Sequence, residues 1–388
     1  MLLDGAFARD YRVRKEAFSL VAAGHEVRVL EPGAVASVTR DEGVEVQSFV
    51  APTGAVARLW NLAHALGRTH WPWLRATRDA ARDFAPEVLH VHDLPLVATA
   101  ARVARERGAK LIADMHENMP ALMQLIVPID RWPWSSLHRL ERWQAHERDA
   151  LSAADAVLCV VEEARDRLRD EALVPAERLF VVSNYDHAPG ASAVEPDAPG
   201  ESAPAATAAL RLGYFGVMNG HRGLRFALEG LAESPPDTRL ILAGDGPERA
   251  ELEQRAAELG LVERVEFRGW QRLEDMPAAL AEPDVGLVLH DRNALTESTI
   301  PNKLFGYMAA GVPVLVTDLG PLRRIVEESD SGRVVPTGDR AALLATLAEL
   351  GDPVLRRRLG TNGRAAVREC YNWSAAERRL LEAYASVV

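Results

Sequence analysis

Short runs of β-branched and aliphatic residues alternate with longer amphipathic stretches along most of the chain, the pattern that strand-helix-strand units and parallel sheets produce. In the first half the strand-like runs are MLLD (1–4), EVRVL (26–30), VEVQSF (44–49), EVLHV (87–91), KLIAD (110–114), AVLCVV (156–161) and RLFVV (178–182). Between the first two lies RKEAFSLVAAG, an amphipathic stretch whose Gly24 stands where a helix should end. Residues 185–209 break the rhythm with Pro, Ala, Gly and Ser, and read as a linker. A second series follows: LGYFG (212–216), TRLILAG (238–244), RVEFRG (264–269), DVGLVL (284–289), VPVLVT (312–317) and GRVVP (332–336), each succeeded by a helical pattern. The expectation is an α/β chain of two doubly wound, Rossmann-like domains, 1–184 and 210–370, with a last helix in 371–388 crossing back to the first. Two such domains facing each other would place the C-terminal edges of both sheets around one cleft, where open α/β sheets bind ligands.

Composition narrows the field. With 388 residues and 48% hydrophobic content, the chain has enough apolar material for two cores. Acids outnumber bases by 56 to 45, a formal charge of −11, which disfavours nucleic acid as a partner. No apolar run approaches the roughly 20 residues of a membrane span. The opening residues lack a basic segment followed by an apolar one, so a cytoplasmic protein is expected. Cys159 and Cys370 sit in mostly apolar surroundings and read as buried thiols. Only Lys15, Lys110 and Lys303 are lysines, a bias toward Arg that suits a GC-rich bacterial genome.

The densest candidate chemistry is TESTIPNKLFGYMAAGVPVLVTD (296–318). Pro301 suits the first turn of a helix and Gly311 its end. The free N–H groups of Thr299, Ile300 and Asn302 would then face outward as an anion site, with Lys303 one turn in. A diphosphate fits such a site. The chain has no Asp-x-Asp and no His/Cys/Asp spacing typical of metal ligands, so neither metal nor other cofactor is expected. Neither G-x-S-x-G nor G-x-x-x-x-G-K-[ST] occurs, which removes the α/β-hydrolase and P-loop readings.

Beyond these residues, an ordered set of segments carries a family likeness. They are DYRVRKEAFSLVAAGHEVRVL (10–30), VLHVHDLP (88–95), IADMHENMP (112–120), VVSNYD (181–186), LGYFGVMNGHRGL (212–224), LILAGDGPE (240–248), VEFRGW (265–270), IPNKLFGYMAAGVPVL (300–315) and NWSAAERRLLEAY (372–384). In this order and spacing the chain resembles a family 4 retaining glycosyltransferase of the GT-B architecture. The resemblance implies that the second domain holds the nucleoside diphosphate of an activated sugar (UDP-, GDP- or dTDP-linked) and the first an acceptor hydroxyl. That acceptor would be a glycan, a lipid-linked sugar or a natural product.

The resemblance also assigns roles. Gly216 would let backbone approach the phosphates, and Arg222 with Lys303 would neutralise the leaving diphosphate. Gly244 would face the ligand, and Arg268 to Trp270 would meet the base, with Trp270 either stacking on it or capping the core. His116 would stand beside the donor sugar as an imidazole without fixed charge, and Glu297 would face the same sugar. His92, Asp93 and Glu117 become acceptor-side candidates. Asp10, Arg12 and Lys15 either reach the cleft or are helix-start charges. One position departs from the family: a glutamate that normally stands five residues before the closing glycine is Gly306 here, which removes a carboxylate expected on the ribose. A sugar-nucleotide epimerase and a degenerate, non-catalytic partner protein stay open as alternatives. Six of the eight tryptophans (Trp60, Trp71, Trp73, Trp132, Trp134 and Trp143) fall in two segments of the first half. With five Arg against one Asp in residues 55–82, they suggest peripheral membrane contact, an aromatic acceptor pocket or plain core packing.

Overall fold

The computed structural model describes residues 1–54, 70–126, 139–186 and 209–388. Two compact units emerge, one made of Met1–Asn184 with Ala376–Val388 and the other of Tyr185–Ala375. In the first, the strands are β1 (Arg28–Gly33), β2 (Ser37–Asp41), β3 (Val44–Val50), β4 (Val88–His92), β5 (Lys110–Met115), β6 (Ala156–Cys159) and β7 (Leu179–Val181). They run in the orders β2-β3-β1 and β4-β5-β6-β7. Leu2 joins the two sets through parallel bridges to Leu30 and Val91. The run MLLD therefore supplies one bridged residue rather than a strand. Strand order reverses about Leu2, so the loops that follow Leu2 and β4 open at the switch point where ligands of such sheets bind.

Every pairing in this unit is parallel except β2 with β3. Strand β2 escapes the sequence pattern because four of its five residues are exposed, so no apolar alternation marks it. Its turn is legible afterwards: Glu42 and Gly43 both have positive φ (46° and 90°) and connect the paired Asp41 and Val44.

The second unit is regular. Strands β8 (Arg211–Phe215), β9 (Arg239–Ala243), β10 (Val265–Arg268), β11 (Val285–Val288), β12 (Val314–Thr317) and β13 (Gly332–Val335) lie in the order β10-β9-β8-β11-β12-β13, all parallel. Helices cover both faces of such a sheet, so the central strands read as unbroken apolar runs with Leu240, Leu242, Val285, Leu287, Val314 and Val316 all buried. The reversal of strand order falls between β8 and β11.

Two expectations need correction. The helix after the TESTIP segment is Lys303–Ala310, so Lys303 is its first residue and not one turn in. Pro301 stands two residues before it and lends its carbonyl to the N–H of Leu304 at 3.1 Å. Gly311 does close the helix, in the left-handed conformation (φ 73°). Of the two thiols only Cys159 is buried, and burial, followed by the charge of Asp114, pushes it up to about 12. Cys370 is exposed, because the helix Pro353–Glu369 ends there.

The helix Trp373–Val387 begins in the second unit, where the N–H of Trp373 bonds the carbonyl of Asp186 at 2.8 Å. From Ala376 onward it belongs to the first, and the Tyr384 hydroxyl meets His90 Nδ1 there at 2.9 Å. Trp73 and Trp143 are buried while Trp71 is exposed. Trp60, Trp132, Trp134 and most of the expected linker lie outside the described residues. Among the described residues, no helix is long and apolar enough to cross a membrane.

Gly286 in β11 lies under the Tyr307 ring, where an added Cβ would sit 2.4 Å from Cγ. That ring is held from its other end, since the hydroxyl donates to the carbonyl of Gly213 at 2.9 Å. Gly286→Ala is therefore expected to lower the unfolding free energy by about 1–3 kcal/mol, read as a lower denaturant midpoint at constant slope.

Candidate functional site

In the second unit, the ends of β8 and β9 are glycines in positive φ, Gly216 (135°) and Gly244 (131°). A Cβ on Gly244 would lie 2.0 Å from the Gly216 carbonyl oxygen, so these backbones touch and only glycine fits. Beside them the Lys303 ammonium stands 3.4 Å from the centre of the Tyr214 ring, a cation-π contact. Burial, followed by the charge of Arg222, drives the Lys303 amine well below its ordinary pKa. Arg222 enters from the turn before the helix Leu224–Glu233. Gly223 lets that turn press against β11, since a Cβ there would sit 1.7 Å from the Leu289 carbonyl oxygen.

The Arg222 guanidinium donates from Nη1 to His290 Nε2 at 3.1 Å, and its Nε is buried without a partner among the described residues. His290 follows β11, and burial, then Arg222 and Lys303, hold its pKa well below the usual histidine value. It is neutral and serves as the acceptor. Neither Arg222 nor Lys303 has a carboxylate partner among the described residues. By contrast Arg225, equally basic in the sequence, is paired with Glu251. An uncompensated cation pair at the switch point, framed by bare backbone, calls for an anion.

The flanking residues divide. The N–H groups of Thr299, Ile300 and Asn302 have no backbone partner among the described residues, and the Thr299 hydroxyl bonds the Leu295 carbonyl at 3.1 Å. Glu297, expected to face a sugar, instead accepts from the N–H of Gly320 at 2.9 Å and pairs with Arg292, so it anchors the start of the helix Gly320–Ser329. Arg268 is likewise committed: its fork grips Glu266 and Glu282 at 2.6 to 2.9 Å, which leaves its backbone rather than its charge for a ligand. Trp270 is 62% exposed and caps no core. Gly306 points its missing side chain at Leu280, 2.7 Å away, so a carboxylate there would have to displace a leucine tip.

The first unit holds a second constellation at its own switch point. Asp114, at the end of β5, is fully buried and accepts from Arg12 Nη2 (2.8 Å) and Nε (3.2 Å), His92 Nδ1 (3.2 Å) and His116 Nε2 (2.8 Å). Burial alone would raise its pKa, but Arg12 and His116 hold it well below the carboxylate range. Arg12 is interior, donating also to the Val182 carbonyl at 2.8 Å and pairing with Glu16 at 3.0 Å. It is thus a frame residue, not the acceptor contact expected of it. His92 is equally buried and packs on His90, ring centres 4.5 Å apart, so it is removed from any acceptor. Asp10 caps the helix Tyr11–Ala22 by accepting from Val13 N–H at 3.0 Å.

His116 departs from the neutral imidazole expected above. Burial would lower its pKa, yet Asp114 and Asp93 outweigh it and hold the group at about 9, so the ring is an imidazolium at neutral pH. Asp93 lies 3.7 Å from its Nδ1 and has φ 66°, a strained conformation for a residue other than glycine. Glu117 is exposed on the following loop.

Folding also gathers what no local spacing announced: Glu16, His90, His92 and Asp114 bring ligand atoms within 4.8 Å of one another, the geometry of a metal cluster. The charges argue against an ion there. Arg12 already spans both carboxylates, and Arg12 with His116 balances Asp114 with Asp93, so a divalent cation would be added to a neutral interior. Burial, followed by Asp114, pushes Glu16 up to about 8, so its carboxyl is protonated at neutral pH and faces His90 Nε2 at 3.7 Å.

The model of "Glycosyltransferase Family 4" matches residues 12–185, and that of "Glycosyl transferases group 1" matches residues 209–352. The chain belongs to the family 4, group 1 glycosyltransferases. Phosphatidyl-myo-inositol mannosyltransferase of Mycolicibacterium smegmatis is 28% identical over 94% of this chain and 86% of that one. Alpha-D-kanosaminyltransferase of Streptomyces kanamyceticus is 29% identical over 62% and 63%. Several relatives are matched in part only, the chain spanning 41, 63 and 64% of three of them. Anabaena HepE, solved with UDP and glucose, superposes with a TM-score of 0.71 at 16% identity over 99% of this chain and 98% of that one, which establishes the GT-B fold.

Two half-buried cations without a carboxylate partner among the described residues cost stability in the empty state. Lys303→Met should therefore raise the melting temperature by about 2–4 °C, the shift that about 1 kcal/mol produces in a domain of this size. Pyrophosphate should stabilise the wild type more than the variant in the same melt.

Proposed function

We propose that the protein transfers a sugar, with retention and without a metal ion, from a nucleoside-diphosphate donor to an acceptor hydroxyl. The observation that carries this reading is the Arg222–Lys303 pair, left without a carboxylate beside the touching glycines Gly216 and Gly244. When the glycosidic bond of a donor breaks, negative charge develops on the leaving diphosphate, and cations already in place stabilise it without reorganising. Two protein cations would supply the neutralisation that a divalent ion supplies in other phosphate chemistries. The open N–H groups of Thr299, Ile300 and Asn302 would add donors to the same anion. Trp270, exposed just beyond β10, is free to stack on a base.

The first unit would take the acceptor. His116, Asp93 and Glu117 are accessible polar groups there, while Arg12 and His92 support them from inside. An imidazolium donates a hydrogen bond to a hydroxyl and does not accept its proton, so His116 orients a substrate. By their names, one of the relatives above transfers mannose to phosphatidyl-myo-inositol and the other transfers kanosamine, and a lipid-linked acceptor suits this reading. Exposed Trp71 supports a surface contact with lipid, whereas buried Trp73 and Trp143 support the packing role.

A panel of UDP-, GDP- and dTDP-sugars, read by release of the nucleoside diphosphate and by mass spectrometry of the glycosylated product, tests the proposal. Transfer from at least one donor is expected in the presence of chelator, with Arg222→Ala and Lys303→Ala each reducing kcat/KM by about 10²-fold or more. Isomerised sugar from donor alone would point to epimerisation. No binding of UDP, GDP or dTDP would leave the degenerate reading standing.

A further inference from the structure

We propose that Asp114 is a positioning residue that holds His116 in a fixed orientation toward substrate, with Arg12 and His92 as the frame that keeps the carboxylate from turning. The inference rests on the glycosyltransferase reading for its catalytic consequence, though not for its structural content. An ordinary Arg-Asp pair would need only the fork of Arg12 on the two oxygens. Here the Oδ2 oxygen also takes His92 Nδ1 at 3.2 Å and His116 Nε2 at 2.8 Å, the shortest contact it makes. His92 and Asp114 are partners in the β4–β5 register, so the sheet itself sets that distance.

Rotation of the carboxylate would break several charge-assisted bonds in a fully buried place, which holds it still. His116 is thereby tied at Nε2, while its Nδ1 has Asp93 at 3.7 Å, too far for a hydrogen bond, on a side chain that is 18% exposed. The groups that face the ring come from three elements. Asp114 lies on β5, His92 and Asp93 at the end of β4, and Arg12 and Glu16 on the helix Tyr11–Ala22, with Glu117 next along the chain. The two ionised aspartates outweigh Arg12 and burial, in line with a ring held at about 9. His90 completes the support: it stacks on His92 and is fixed at Nδ1 by the Tyr384 hydroxyl.

The test uses the full-length protein and follows the His116 ring by NMR across pH 5 to 10, in the wild type and in Asp114→Asn. The wild-type ring should stay protonated through pH 8 with a midpoint near 9. Asp114→Asn should bring it to the ordinary histidine value of about 6.5 or lower, which cuts the imidazolium fraction at pH 8 about thirtyfold. Transfer at pH 8 should fall in step, while in a His116→Gln background Asp114→Asn should change little.

A wild-type midpoint at or below the ordinary value overturns the proposal and needs no variant, so a failure of Asp114→Asn to fold leaves the test intact. Equal loss of activity in both backgrounds would also overturn it, since Asp114 would then act on structure alone. Should the protein prove not to transfer sugars, the wild-type titration still decides whether Asp114 charges the ring.

Discussion

Arg222 and Lys303, two cations with no carboxylate paired to them among the described residues, repel each other, and much of the second unit serves to keep them in place. Lys303 lies against the face of Tyr214, whose hydroxyl is fixed by the Val217 carbonyl at 2.6 Å. Arg222 is steadied by a histidine that stays neutral because it is buried among cations. The glycines at 216, 223 and 244 give these groups their places by letting one loop lie on another. An empty site of this kind is destabilising, and a bound anion turns the same charges to advantage. Pre-organisation of this sort is how a site avoids rearranging while charge develops.

The first unit solves the opposite electrostatic problem. Its cluster of Arg12, Asp114, His116 and Asp93 is internally balanced, and its neighbours Glu16, His90 and His92 are brought to neutral forms by burial. One unit thus has a site that is short of negative charge and suits an anion. The other is self-sufficient and offers a single oriented donor at its edge. Such a division suits a molecule in which one lobe binds a charged ligand and the other a neutral hydroxyl.

Much of the scaffold was legible in the chain. Apolar runs located nearly all strands within a residue or two, because parallel strands buried on both faces have no polar alternation to blur them. Lys303 was legible because lysine is so rare here. Arg222 was singled out by the resemblance alone, since only folding sets it apart from Arg225: one meets His290, 68 residues on, and the other meets Glu251. Asp114 was hidden for the same reason. It sits in the DMHE string that drew attention to His116, yet its decisive partner Arg12 is 102 residues away. Glu297 and Arg268 show the reverse error, as residues of suitable type that local partners had already claimed.

The helix that contains Tyr384 gives the chain a direction in time. Residues 376–388 complete a unit whose other residues all precede position 185, so that unit is discontinuous. During synthesis the N-terminal strands leave the ribosome well before the residue that fixes His90, with the whole second unit made in between. One support of the first unit's polar interior is therefore made only after the whole second unit. Until then His90 Nδ1 lacks the hydroxyl that later holds it.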